Sequence, residues 1–169
     1  MPVLFSPENL KNTEIVICDS ETASQAHKEL FRSTANEHII LDNTASTLDS
    51  LSLIIAAHCS SSIMQKIHLV MGWSNLLQVS LRQSAKPAVG DVFTFLRNEG
   101  ISSEELQPFK ASDINDIFPW LYYGKRFDIL RRLCHLAKRK AEDIFKGHSI
   151  IVDCHIIAED TKKIVASSL

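Results

Sequence analysis

The residue with the clearest capacity for covalent chemistry is Cys154, which closes the apolar run 149–154 and is flanked by Asp153 and His155. A thiol attacks as its thiolate, and an unassisted thiol has a pKa near ~8.5, so a histidine must lie within hydrogen-bond reach to populate it near neutral pH. His155 follows directly and, in a strand, faces the opposite side. A base would have to come from elsewhere in the chain, with His58 and His148 as the candidates, or from a second copy completing the sheet. The plainer alternative is that Cys154 fills the core, since free cysteine is among the most buried residue types.

Other chemistries find less support. The seven histidines form no H-x-H or H-x-x-x-H pair, and the neighbours His58 with Cys59, Cys134 with His135 and Cys154 with His155 point to different sides of a helix or strand. No metal ligand set and no cofactor are therefore expected. Neither G-x-x-x-x-G-K nor G-x-G-x-x-G occurs among the five glycines, which argues against a glycine-loop phosphate site. Asp19 sits where a receiver-type phosphoacceptor domain keeps acidic residues, but the third apolar run ends Met71-Gly72-Trp73, without the acceptor carboxylate.

These residues must be held by elements, and the apolar runs suggest which. Residues 13–19, 38–41 and 66–73 read as buried strands, the last ending abruptly at a glycine and a tryptophan, and 149–155 as a fourth. The first is followed by an amphipathic helix carrying Ala23, Ala26, Leu30 and Phe31, capped by Ser20 or Thr22. The second is followed by a helix over 45–59, apolar on more than half its circumference and opened by Asp42, Asn43 or Thr44. Residues 76–79 fit a short strand or a first helical turn, and Asp91 and Ser102 or Ser103 read as caps of further helices. The tail is expected to form a short helix over 159–167. Strands alternating with helices predict one three-layer α/β domain spanning 1–169: a mainly parallel sheet of four or five strands, with a helical insertion at about 81–147 before the last strand.

Two surfaces in that insertion are candidates for binding. Residues 114–123 hold Ile117, Phe118, Trp120, Leu121, Tyr122 and Tyr123, a density of rings that serves either core packing or partner contact. Residues 125–146 form the clearest helix, whose outer side gathers Arg131, Arg132, Arg139 and Lys140 among other cations, either as a solvated face or as a patch for an acidic or phosphate-bearing partner. A net charge of −2 gives no global attraction to nucleic acid or anionic membrane. No signal-peptide pattern opens the chain, and no apolar run reaches the ~20 residues that span a bilayer. The four cysteines lack a C-x-x-C pair, so a soluble cytoplasmic protein with free thiols is expected.

In residues 14–20, 39–42, 67–70 and 77–79, together with Ile151-Val152-Asp153-Cys154-His155-Ile156-Ile157-Ala158, the chain resembles a caspase-like domain, of the caspase and gingipain group, found near the N-terminus of large bacterial repeat and adhesin proteins. The resemblance implies a cysteine–histidine pair at the ends of adjacent strands, with Cys154 as the nucleophile. The family's third strand continues into Ser-His-Gly. Here Met71, Gly72 and Trp73 occupy those places, so the slot of the base holds a glycine, and His68 lies well below the edge. The expected function is a non-catalytic interaction or regulatory domain that binds a protein partner through Phe118, Trp120, Tyr122 and Tyr123 with Arg131, Arg132, Arg139 and Lys140. A cysteine peptidase-like enzyme using Cys154 is the alternative. Nucleic-acid binding through the basic helix is a third reading, and a homo-oligomer is left open.

Overall fold

The computed structural model describes residues 14–31, 37–41, 46–59, 66–83, 85–147 and 149–169. Asp42, Asn43, Thr44 and His148, and the side chains of His58 and Cys59, lie outside the described residues. The chain runs β1 (Glu14–Cys18), α1 (Glu21–Phe31), β2 (Glu37–Ile40), α2 (Thr47–Cys59), β3 (Lys66–Met71) and α3 (Trp73–Leu81). It continues with α4 (Val89–Asn98), α5 (Ser103–Leu106), α6 (Ile117–Tyr123), α7 (Phe127–Ile144), β4 (Ile151–Ala158) and β5 (Lys163–Ser167). The five strands form one sheet in the order β2-β1-β3-β4-β5. β1 to β4 are parallel, and β5 returns antiparallel to β4. This is the expected α/β architecture, with helices on both faces of a mostly parallel sheet.

Strand alternation sorts the side chains onto two faces. Ile15, Ile17, Ile67, Leu69, Met71, Val152, Cys154 and Ile156 face the larger core, where they meet Leu51 and Ile55 of α2, Leu76 and Leu77 of α3, and Leu130, Leu133 and Ala137 of α7. Val16, Cys18 and Val70 face the other way, onto Ala23 and Ala26 of α1. The loop after β1 thus turns to one face and the loop after β3 to the other. The carboxyl edge between these neighbouring strands is the topological switch point at which open sheets hold ligands.

Several local expectations are decided here, some for and some against. Residues 76–79 lie inside α3, closed at Arg82 in the left-handed conformation, and Asp91 sits within the first turn of α4 rather than capping it. Ser102 does cap, in a reciprocal box with Glu105. The tail is a strand, not a helix: Lys162, at φ 58°, closes a turn whose N–H reaches the Ala158 carbonyl at 2.8 Å. The β-branched pair Ile164 and Val165 then runs back along β4. That partner lets β4 continue to Ala158, so Cys154 stands mid-strand and not at the strand's end. α7, in the helical segment that precedes β4, crosses over between β3 and β4, and it is fixed to β4 by Lys138, whose Nζ donates to the Val152 carbonyl at 2.7 Å. No helix among the described residues is long and apolar enough to cross a membrane.

Candidate functional site

At the switch point Asp19 leaves the end of β1 and reaches across to the end of β3. Its Oδ2 accepts the Gly72 N–H at 2.7 Å and the Asn75 amide at 2.9 Å, placing a carboxylate at the opening of α3, where the helix dipole favours negative charge. From the end of β4 comes Glu159. A Cβ on Gly72 would lie 3.5 Å from Asp19 Oδ2 and 3.6 Å from Glu159 Oε1, so the absence of a side chain at this position leaves the two carboxylates facing one small space.

That space is part of a cleft of about 430 Å³. One wall is aromatic and belongs to α6. Trp73 anchors it by donating its indole N–H to the Ile114 carbonyl at 2.9 Å, and Trp73 packs tilted against Phe118 at 6.1 Å. Phe118 stacks on Tyr122 at 5.9 Å, and Tyr122 meets Tyr123 edge-on at 5.1 Å. The exposed Tyr123 hydroxyl donates to Asp160 at 2.8 Å, and that hydrogen bond to a carboxylate holds the phenol above its ordinary pKa. The cleft is also lined by Asp19, Glu159 and Asp160, and among the described residues no Lys, Arg or His lines it. Nothing in the sequence outside long-range topology marks Glu159 and Asp160, since they follow a strand expected to end earlier.

The sequence-derived binding residues separate in space. Phe118, Tyr122 and Tyr123 line the cleft, whereas Trp120 turns away to pack on Phe109 at 5.2 Å. Arg131, Arg132, Arg139 and Lys140 lie along α7 outside the cleft, and Arg132 is paired with Glu99 at 3.0 Å. The aromatic stretch and the basic helix are therefore two surfaces and not one. Cys154 is 0 % exposed, within the apolar core beside α7, and burial pushes its thiol pKa well above the ordinary value. His155 faces the other side of the sheet, where its Nδ1 meets Ser167 Oγ at 2.7 Å. Among the described residues no base is presented to the thiol and no thiol to the edge; the side chain of His58, and His148, lie outside them. On that other face, however, the fold gathers His27, His68 and His155, which the scattered spacing gave no reason to group.

No family model, curated protein or solved structure matches the chain.

Proposed function

We propose that the protein is a non-catalytic binding domain that receives a cationic side chain, Lys or Arg, of a partner protein in the cleft at the carboxyl edge of its sheet. The observation that carries this reading is the composition of the cleft: three carboxylates and four aromatic rings around one space, with no cation among the described lining residues. Carboxylates attract a cation, and ring faces hold it through the π quadrupole, more strongly when the site is partly desolvated. The same composition disfavours phosphate, nucleotide or nucleic-acid backbone in this cleft. Against the cysteine peptidase alternative stands the burial of Cys154 in the apolar core. The slot that the caspase-like resemblance gives to the base is held by Gly72, which supplies no imidazole.

The test compares a Lys/Arg-rich peptide with its Glu-substituted counterpart by calorimetry. Binding is expected for the basic peptide alone, and it should weaken at least tenfold in Tyr123→Ala with Glu159→Gln while persisting when Arg131, Arg132, Arg139 and Lys140 are all changed to Glu. The reverse ranking of the two variants would move the contact surface to α7 and overturn the cleft reading.

A further inference from the structure

The face of the sheet beneath α1 is unusually polar for a parallel sheet. His68 of β3 and His155 of β4 both point into it, and His27 comes down onto them from α1. The ring centroids are 5.0 Å apart for His27 and His68, 5.6 Å for His27 and His155, and 6.0 Å for His68 and His155. Two of these histidines are sealed from solvent, His27 at 1 % exposure and His155 at 0 %. Both ring nitrogens of His27, Nδ1 of His68 and Nε2 of His155 are buried without a hydrogen-bond partner. Burying a polar nitrogen unpaired costs free energy, and native folds rarely leave several such atoms against one another.

The partners of the remaining nitrogens show what the unpaired ones are arranged for. His68 Nε2 lies 3.3 Å from Glu14 Oε1, a carboxylate that accepts the Nε2–H and leaves Nδ1 as the inward ring nitrogen. His155 Nδ1 lies 2.7 Å from Ser167 Oγ, which can accept its proton and leave Nε2 as the inward lone pair. A carboxylate or hydroxyl bound to the far nitrogen is how metal-ligating histidines are oriented. Burial first, and neighbouring imidazoles second, push the His27 pKa down to about 4 and that of His155 to about 3.

We propose that His27 (through Nδ1 or Nε2), His68 through Nδ1 and His155 through Nε2 form a three-histidine site for a divalent transition-metal ion of the zinc class. One nitrogen from each ring lies within 4.8 Å of the other two. Around tetrahedral zinc, with Zn–N of about 2.0–2.1 Å, neighbouring nitrogens sit about 3.3 Å apart, so ring rotations that move each nitrogen by less than about 1 Å complete the geometry. The fourth position faces Phe31, whose ring lies 4.7 Å from that of His27 and 4.9 Å from that of His155, and which is 37 % exposed. A water or a small ligand can occupy that position when Phe31 turns outward. The donor set is all imidazole, which suits zinc, cobalt, nickel or copper and not magnesium or calcium. Metal binding here would join α1 to β3 and β4.

The full chain, dialysed against chelator, is titrated with Zn²⁺ and followed by thermal unfolding, with Mg²⁺ in parallel. A rise in Tm that saturates at one Zn²⁺ per chain, with no rise for Mg²⁺, is expected. It should vanish in His27→Leu and in His155→Leu and persist in His135→Ala, which removes an exposed histidine of α7. Leucine is chosen because it replaces the unpaired nitrogens with apolar volume, so the metal-free variants should be no less stable than the metal-free parent. Should either variant fail to fold, Co²⁺ binding to the parent decides, by the intense visible bands of a tetrahedral site with nitrogen donors. Absence of a Zn²⁺ effect, an undiminished effect in folded His27→Leu, or octahedral cobalt spectra would each overturn the proposal.

Discussion

Replacing Asp19 tests whether the carboxyl edge is built around this one carboxylate. Asp19→Ala removes two hydrogen bonds, at 2.7 and 2.9 Å. It also strands the N–H of Gly72, a buried residue, at the start of α3. Hydrogen bonds to charged groups contribute about 1.5–3 kcal/mol each, but the amide of Asn75, only half-buried, can turn to water, so a single bond is counted in full. A carboxylate at a helix N-terminus adds about 0.3–1 kcal/mol. The sum is a loss of about 2–4 kcal/mol. At roughly 2–4 °C per kcal/mol for a chain of this size, the centre of that range corresponds to about 9 °C in Tm. Asp19→Asn keeps an oxygen for the Gly72 N–H and loses only the charge, so it should cost about 1 kcal/mol. Urea titration followed by circular dichroism reads both, as a shift in midpoint at constant slope. An Asp19→Ala protein within about 0.5 kcal/mol of the parent, or an Asn variant as unstable as the Ala variant, would refute the bridging role.

Two further outcomes follow from the packing. Cys18, Cys134 and Cys154 are buried, with the Cys18 and Cys134 thiols pushed up to about 12, so iodoacetamide at pH 7 should modify all three only slowly, and Cys154 no faster than Cys134. Rapid, pH-insensitive labelling of Cys154 alone, read by mass spectrometry, would make cysteine chemistry the leading reading again. Lys138 ties α7 to β4 through the Val152 carbonyl, and it pairs with Glu142 at 2.8 Å and Asp153 at 3.6 Å. Lys138→Met should therefore cost about 1–3 kcal/mol, measured by thermal unfolding, and a neutral result would show that the anchor contributes nothing.

Strands β1, β3 and β4 were legible because each is a short apolar run largely buried on both faces, and α7 because Leu130, Leu133, Cys134, Ala137 and Ala141 recur at helical spacing. The last strand was not. Residues 159–167 carry no period long enough to separate helix from strand, and what decides is the free edge of β4, a long-range fact. The same ignorance of β5 placed Cys154 at a strand end, and with it the expectation of an edge nucleophile. Phe118, Tyr122 and Tyr123 were recognisable as candidates from ring density alone, but their acidic counterparts come from β1 and from the turn after β4, far away in the chain. The three histidines illustrate the limit most clearly. Spacing rules find ligands that share one element, whereas His27, His68 and His155 come from three.

Cys154 and His155 show how a one-residue step decides chemistry in a sheet. The pair is adjacent in sequence, as a cysteine–histidine reading would like, yet the pleat sends the thiol into the apolar core under α7 and the imidazole into the polar face under α1. A one-residue slip of β4 against β3 would exchange these environments, burying His155 among leucines and exposing Cys154 to His27 and His68. The register Leu69 to Cys154 and Val70 to His155 therefore places the histidines where their inward nitrogens meet. Because that cluster lies within the sheet and the acidic cleft lies beyond its carboxyl edge, a substitution at Tyr123 and one at His27 should act independently, each changing its own readout and leaving the other at the parent's value.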